Sequence, residues 1–163
     1  FRDMTRSFSP IETPLGRFAA VVDGDGAVTA FHFRADDAEA TGAALDTARV
    51  RHVAEQVDQF FARTREAFDL ELRPEGTPFQ QRVWRALLTI PFGETISYQE
   101  LARRVSDVKA AQAVGQANNR NPIALIIPCH RVVAKGGAMV GFGGGVTLER
   151  QLLAFETPTR FDW

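Results

Sequence analysis

The stretch that decides the fold is SYQELARRVSDVKAAQAVGQANN, residues 97–119. Ser97 and Glu100 are spaced as in a capping box, in which a hydroxyl and a carboxylate bind the free backbone N–H groups that start a helix. The pattern predicts a first helix over YQELARRV and, after the short SDVK segment, a second over AAQAVGQANN. Two short helices joined by a tight turn outline a helix-turn-helix. Such pairs also occur in domains unrelated to DNA, so the outline alone leaves the function open.

Another helix is predicted just before this pair. Thr77, Pro78 and Gln80 combine a capping hydroxyl, a proline at the first helical position and a glutamine at the third, which predicts a helix over PFQQRVWRALLTI. The segment LRPEGTPFQ contains two prolines and a glycine, so it is the best candidate for a linker. We therefore expect an N-terminal domain with its linker at residues 1–76 and a C-terminal domain at residues 77–163.

The N-terminal half combines strand and helix signals. Apolar β-forming residues flank DGDG, which predicts a β-hairpin over about 17–33. Apolar residues then recur at helical spacing between Val50 and Phe61, and AFDLEL alternates as a strand does. The expected fold class is α+β, with a small antiparallel sheet and helix followed by a mainly helical C-terminal domain. No catalytic cluster is evident in the first half, which favours a scaffolding role.

Composition and charge limit the class of protein. The chain has 163 residues, 45% of them hydrophobic, and no stretch long enough to span a bilayer or to act as a secretory signal, so we expect a cytosolic protein without a membrane partner. One cysteine and three scattered histidines predict no disulfide, no metal site and no cofactor. Residues 1–72 carry 8 basic and 13 acidic side chains, whereas residues 73–145 carry 9 and 4, so the middle of the chain suits a polyanion better than the net charge of -1 implies.

The single cysteine follows an apolar segment. Asn121-Pro122 stops the second helix of the pair, and IALII predicts a buried strand or extended segment that leads to Cys129. A free cysteine is often only a small buried apolar residue. Here it adjoins His130 and Arg131, whose charges favour the nucleophilic thiolate. A glycine-rich segment and TLERQLLAFE follow, and the latter predicts an amphipathic helix with Leu148, Leu152 and Phe155 on or near one face.

The motif IPCHRVV, preceded by NP and followed by GFGGG and LLAFE, closely resembles the O6-alkylguanine-DNA alkyltransferases, also called methylated-DNA-protein-cysteine methyltransferases. The resemblance is dense over residues 77–156 and concerns layout more than motif in the first half. It implies direct-reversal DNA repair, in which the cysteine accepts the alkyl group from O6 of a damaged guanine irreversibly. The protein would be a stoichiometric reagent that acts once.

The resemblance also implies roles for individual residues. Cys129 would accept the alkyl group, His130 would act as base toward its thiol, and Glu156 would orient the histidine. Asn121 would hold the turn that shapes the site, and Tyr98 would donate its hydroxyl proton to the departing base. The alternatives are a solvated helix residue for Glu156, an ordinary helix stop for Asn121 and a half-buried packing residue for Tyr98.

Duplex DNA bearing O6-alkylguanine is the implied partner, bound through its minor groove by a monomer in the bacterial cytosol, with the base flipped into a pocket. Small residues on the second helix would approach the DNA, namely Ala111, Ala113, Gly115 and Ala117. Backbone groups at Val132 and Gly143 would contact the base, and Phe142 would form a wall of the pocket. Arg120 and Arg131 are further candidates for DNA contacts. Gln112 departs from the family, where most members carry an arginine that enters the base stack, and this predicts weaker binding or slower flipping.

Two other classes of function compete with repair. Alkyltransferase-like proteins keep the helix pair and pocket, replace the cysteine and sense lesions without repairing them. Cys129 is present here, but the missing arginine at position 112 leaves room for such a sensing role. A Cys-His-Glu hydrolase acting on acyl substrates would use the same residue types. The hydrolase hypothesis does not explain the helix pair, Tyr98 or the basic middle segment.

Overall fold

The computed structural model describes residues 5–134 and 146–157. The chain divides into two compact units, one formed by residues up to Glu75 together with Pro122–Ile126, and one formed by Gly76–Asn121 and the residues from Ile127 onward. Over the described ranges, no helix has both the length and the apolar character needed to cross a bilayer. The mixed α+β class predicted from the sequence is confirmed.

The first unit is built on a four-stranded sheet. Its strands are β1 (Ser7–Thr13), β2 (Gly16–Val22), β3 (Val28–His32) and β4 (Ala44–Leu45), in the order β3-β2-β1-β4. The predicted hairpin is confirmed as the antiparallel pair β2–β3. Its turn is closed by the Asp23 carboxylate, which accepts from the backbone N–H groups of Asp25 and Ala27. The edge strand β4 pairs in parallel with β1, so the sheet is mixed rather than purely antiparallel.

Two helices complete the first unit, α1 (Ala35–Glu39) and α2 (Thr47–Phe61). Asp46 caps α2 by accepting from the backbone N–H of Arg49, and Val50, Val53, Val57 and Phe60 are buried on one face. These positions recur at the helical period, as predicted. The helix therefore covers one face of the sheet with its apolar side chains.

Two predictions of extended structure are wrong, the strand over AFDLEL and the strand or extended segment over IALII, although the predicted burial of IALII is confirmed. AFDLEL forms no continuous strand, and only Leu72 makes a bridge, to Val28. Likewise, IALII contributes a single bridge from Ile123 to Phe31 and then turns, with Leu125 at a φ of 71°. The apolar residues of this segment are buried, but they form no continuous row of strand hydrogen bonds, because the backbone turns after one bridge.

The second unit is mainly helical. Its described elements are α3 (Pro78–Leu87), β5 (Ile96–Ser97), α4 (Tyr98–Val105), α5 (Ala111–Asn119), β6 (Val132–Val133) and α6 (Val146–Glu156), with 3₁₀ turns at Val108–Ala110 and Cys129–Arg131. Thr77 and Gln80 form the complete predicted capping box of α3. At α4 only half of the predicted capping box is observed: the Ser97 hydroxyl accepts from the backbone N–H of Glu100. The Glu100 carboxylate pairs with Arg103 and Arg104 instead of the backbone N–H of Ser97.

Helices α4 and α5, joined by the 3₁₀ turn, form the predicted helix-turn-helix and pack against α3. Trp84 of α3 is buried, and its indole N–H donates to the carbonyl of Ala117 on α5 at 2.9 Å. Gly76 lies against the same ring: a Cβ at this position would come within 2.6 Å of Cζ3 of Trp84. The helix pair therefore packs against Trp84, and the position of the Trp84 ring leaves room only for a glycine at residue 76.

Candidate active site

The cysteine sits in a short turn that a strand pair anchors. Pro128 precedes the 3₁₀ turn Cys129–Arg131, and β6 follows at once and pairs in parallel with β5. Because β5 ends where α4 begins, this pairing brings the first residue of α4, Tyr98, near the turn. Chain segments that are far apart in the sequence thus converge on Cys129.

Two asparagines of the second unit hold this turn. The amide of Asn121 donates to the carbonyl of Ile127 at 2.7 Å, and the amide of Asn118 reaches the carbonyl of Cys129 at 3.5 Å. The side-chain oxygen of Asn118 is buried without a partner among the described residues. Asn118 was missed from the sequence, where it is one polar residue in the NN pair that ends α5.

The thiol of Cys129 is protonated at neutral pH. The residue is 3% exposed, and burial, with a contribution from the charge of Glu149, raises the pKa of the thiol to about 11, although the Asn121 side chain acts in the opposite direction. The expectation that neighbouring charges favour the thiolate is therefore wrong for the free protein. The physical reason is that burial disfavours the charged thiolate, while the guanidinium of Arg131 is bound to a carboxylate.

That carboxylate belongs to Glu156. Nε2 of His130 lies 2.7 Å from Oε2 of Glu156, and both side chains are buried. Burial raises the pKa of Glu156, but the stronger combined effect of His130 and Arg131 lowers it to about 2. Because an ionised carboxylate can only accept, Nε2 of His130 must carry the hydrogen of this contact, and Nδ1 is the ring nitrogen that Glu156 leaves free. Nδ1 is buried and has no partner among the described residues.

Arg131 lies elsewhere than predicted. It is 7% exposed, its guanidinium donates to both oxygens of Glu156 at 2.9 Å, and Nη1 donates to the carbonyl of Ile90 at 2.7 Å. A guanidinium committed to these acceptors is not presented to a DNA phosphate. The structure therefore replaces the predicted DNA contact with a structural role in fixing Glu156.

Tyr98 is half-buried beside the cysteine. Burial raises the pKa of its hydroxyl to about 12, helped by the charges of Glu149 and Cys129, while the Asn118 side chain acts in the opposite direction. The phenol is therefore neutral at physiological pH and keeps its proton for donation. This is the state that a proton donor to a leaving group requires.

Glu149 is a second buried carboxyl group on α6 that the sequence reasoning missed. The residue is 2% exposed, and burial raises the pKa of its side chain to about 8. The buried face of α6 contains Glu149, Leu152, Leu153 and Glu156; of the residues predicted on it, Leu152 is buried, whereas Leu148 and Phe155 are only partly buried. The signal that could have found Glu149 is its i, i+7 spacing to Glu156, which places both carboxyl groups on one helix face.

The predicted DNA-contacting residues on α5 differ in exposure. Gln112, Ala113 and Arg120 are exposed, Ala111 and Gly115 are partly buried, and Ala117 is buried with its carbonyl bound to Trp84. The exposed set remains available to a ligand, whereas the Ala117 side chain faces the protein. Val132 is buried in β6, and the predicted pocket residues Phe142 and Gly143 lie outside the described residues. Within residues 5–134 and 146–157, no group of three His, Cys, Asp or Glu side chains is arranged to hold a metal ion.

The chain is similar to known proteins over this site. A family model described as 6-O-methylguanine DNA methyltransferase, DNA binding domain, matches residues 78–158. Methylated-DNA–protein-cysteine methyltransferases of Mycobacterium tuberculosis and Methanosarcina acetivorans are 53% identical over 102 residues and 47% identical over 106 residues. These matches cover 63% and 65% of this chain. They span 62% of the mycobacterial protein's length and 68% of the archaeal one's.

Solved structures extend the likeness to nearly the whole chain. The crystal structure of Mycobacterium tuberculosis O6-methylguanine methyltransferase has a TM-score of 0.87 at 38% identity and covers 97% of this chain and 96% of that one. Mycobacterium tuberculosis OGT in complex with DNA has a TM-score of 0.86 at 39% identity and covers 93% of both chains. On these matches, the chain belongs to the 6-O-methylguanine DNA methyltransferase family.

Proposed function

We propose that the protein repairs DNA by transferring the alkyl group of O6-alkylguanine to Cys129, irreversibly and once per molecule. The observation that carries this proposal is that Cys129, His130 and Glu156 are all buried, that Glu156 binds one ring nitrogen of His130, and that the other, Nδ1, has no partner among the described residues. This is the arrangement of a nucleophile with its base and the group that orients the base. Family membership supplies the substrate class.

The first chemical requirement is to remove the thiol proton. Because burial raises the pKa of the Cys129 thiol to about 11, few thiolates are present at neutral pH, so deprotonation accompanies attack on the substrate. Nδ1 of His130 accepts the proton, directly or through one water molecule. The ionised Glu156 stabilises the imidazolium that results, and the pKa of Glu156, at about 2, keeps it ionised throughout.

The second requirement is to stabilise the departing base. Sulfur attacks the alkyl carbon, the carbon–oxygen bond to O6 breaks, and the bonding electrons leave on guanine. The neutral hydroxyl of Tyr98 donates its proton to the guanine anion, and the proton that His130 took from the thiol is returned to Tyr98. The thiol proton thus passes in effect to guanine, and no other reactant is needed.

The product explains why each molecule would act once. A thioether at Cys129 has no leaving group that water or a thiol displaces readily. The sequence contains no second cysteine, so no neighbouring thiol exists to exchange with the alkylated one. Each protein molecule therefore accounts for one lesion.

DNA recognition is assigned to α5 of the helix-turn-helix, which would enter the minor groove. Gln112 and Ala113 are exposed in its first turn, and Arg120, exposed at its end, is placed to contact a phosphate. Removing the target base from the stack costs a few kcal/mol, and Gln112 would fill the space that it leaves. The backbone at Val132 would contact the flipped base.

We further propose a monomer that works in the cytosol. The residues assigned to the chemistry come from one chain, so a second copy contributes no group to the transfer step. A repair protein must reach DNA, which supports the compartment.

The decisive experiment measures the intact mass of the protein after incubation with excess duplex containing one O6-methylguanine, beside Cys129→Ser. We expect a gain of one methylene that stops at one equivalent and is absent from the variant. Tight binding without a mass shift would instead favour the lesion-sensing function. Continued hydrolysis of an ester substrate beyond one equivalent would favour a hydrolase.

A further inference from the structure

Helix α6 carries two buried carboxyl groups on the face that packs against the Cys129–Arg131 turn. Glu149 and Glu156 are seven residues apart, which is close to two helical turns and separates their Cα atoms by about 10 Å along the axis. Two acids on one buried face are uncommon, because each carboxylate must be compensated when it ionises. The two are compensated very differently.

Glu156 is fully bound. Its oxygens accept from His130 and Arg131, and the backbone N–H of Gly93 approaches Oε1 at 3.3 Å. Glu149 has no such partners: its Oε2 is buried and makes no hydrogen bond to any residue that the structure describes. No cation therefore offsets a negative charge on Glu149 in the described part of the site.

The groups near Glu149 are those of the transfer chemistry. A charge on Glu149 acts on the Cys129 thiol of the 3₁₀ turn and on the Tyr98 hydroxyl at the start of α4. The other titratable groups of the turn, His130 and Arg131, are bound to Glu156 and so do not neutralise Glu149. From α5, the Asn118 amide contacts the same region without carrying a charge.

The protonation state of Glu149 therefore has consequences for the nucleophile. Burial raises the pKa of this carboxyl to about 8, so it is mostly neutral at pH 7 and ionises in mildly basic solution. Once it is ionised, a thiolate at Cys129 would face an uncompensated negative charge in a buried site. Such like-charge pairs are strongly unfavourable where water is excluded.

We propose that Glu149 is a positioning residue that controls ionisation of the nucleophile: its neutral form permits a thiolate at Cys129, and its ionised form opposes one. The inference deepens the proposed function by naming the group that limits when the thiol is reactive. It concerns the thiol itself, however, and its test requires no DNA. Failure of the repair proposal would leave the result of that test intact.

The test measures the rate at which iodoacetamide alkylates Cys129 between about pH 6 and pH 12, followed by intact mass, so that the range includes the pKa of the thiol at about 11. Because the chain has one cysteine, all S-alkylation reports on Cys129, and Cys129→Ser supplies the blank. In Glu149→Gln we expect the midpoint of the pH–rate profile to fall by about one unit or more relative to the unmodified chain. Glu149→Met removes the same charge with an apolar side chain and should lower the midpoint similarly.

Glu94→Gln is the matched control, since it removes an exposed carboxylate from the same unit and should leave the midpoint unchanged. Circular dichroism establishes that each variant is folded. A midpoint in folded Glu149→Gln or Glu149→Met that coincides with that of the unmodified chain overturns the proposal. An equal shift in Glu94→Gln would also overturn it, because the effect would then be one of net charge. A role for Glu149 in packing alone would change stability without moving the midpoint downward.

Discussion

Arg131 and Glu156 form a two-point contact, with Nε donating to Oε1 and Nη2 donating to Oε2, each at 2.9 Å. The contact is buried, and Oε2 of the same carboxylate also holds His130. The orientation of the proposed base thus depends on a buried arginine that binds the same carboxylate.

Replacement of Arg131 by lysine should lower the free energy of unfolding by about 2–4 kcal/mol, since an ammonium cannot reproduce the planar two-point contact. The replacement should also raise the pKa of Glu156 and slow the alkylation of Cys129 by iodoacetamide. Urea denaturation and the alkylation rate provide the measurements. Arg85→Lys, at an exposed position, is the control and should change neither. Equal stability of the two variants would contradict the structural role of Arg131.

Stability should depend on pH through Glu149. The pKa of its carboxyl is raised from 4.5 to about 8 on folding, so the folded state holds a proton that the unfolded state releases. The contribution of Glu149 to the free energy of unfolding is therefore fully present below about pH 4.5 and is lost as the pH rises toward 8. Glu149→Gln should therefore be more stable than the unmodified chain at pH 9 by at least about 2 kcal/mol, with little difference at pH 4.5. Thermal melts across this range would reveal a pH-independent difference if the idea is wrong.

Gly76→Ala should destabilise the protein by about 1–3 kcal/mol, because the added methyl group overlaps the buried Trp84 ring. The matched change Gly115→Ala places a methyl group 3.5 Å from the Tyr98 ring, an ordinary contact, within α5. Since alanine favours a helix over glycine, the control should stabilise by up to about 1 kcal/mol. Chemical denaturation should therefore show a lower free energy of unfolding for Gly76→Ala and a higher one for Gly115→Ala. Equal effects of the two changes would show that the Trp84 ring moves to accommodate the methyl group.

Tyr98→Phe separates activation of the thiol from protonation of the base. Loss of the hydroxyl should slow transfer from O6-methylguanine by about 10²-fold, the usual scale for one positioned proton donor. Iodoacetamide needs no such donor, so alkylation of Cys129 by this reagent should stay close to that of the unmodified chain. Single-turnover rates with the two substrates check the prediction. A parallel loss with both would mean that Tyr98 acts on the thiol or on packing instead.

Gln112→Arg should raise the rate of transfer from duplex DNA about threefold, because a cation can occupy the base stack and attract phosphates. Transfer from a single-stranded substrate, where no base must leave a stack, should gain less. Gln116→Arg adds the same charge at another exposed position of α5 and controls for simple attraction to DNA. An unchanged or lower rate for Gln112→Arg would remove the reason to regard position 112 as limiting.

The elements that the sequence predicts well are those with local causes. The caps at Thr77 and Ser97 and the period of α2 are set by neighbouring residues, so they can be found without the fold. AFDLEL and IALII failed because alternation or apolar character signals burial but does not supply a strand partner. The parallel strand β4 was missed for a related reason: two residues carry too little pattern.

Motif resemblance identified the proposed nucleophile, base and proton donor, but not how their charges are balanced. Adjacent cations at positions 130 and 131 suggested an activated thiolate. Only the fold shows that Glu156 binds both side chains and that burial raises the pKa of the Cys129 thiol to about 11. Glu149 escaped notice because a glutamate on a helix is usually solvated, and only packing reveals that this one is not.

Membership of Pro122–Ile126 in the first unit has a practical consequence for dissecting the protein. The backbone N–H of Phe31 donates to the carbonyl of Pro122, and Ile123, Leu125 and Ile126 are at most 4% exposed. A C-terminal fragment that begins at Gly76 would contain these side chains without the sheet that covers them. The N-terminal fragment would lack these residues, which are part of its core. Either fragment expressed alone should therefore aggregate, whereas the two fragments mixed together should associate, because residues 122–126 can then pack against the sheet.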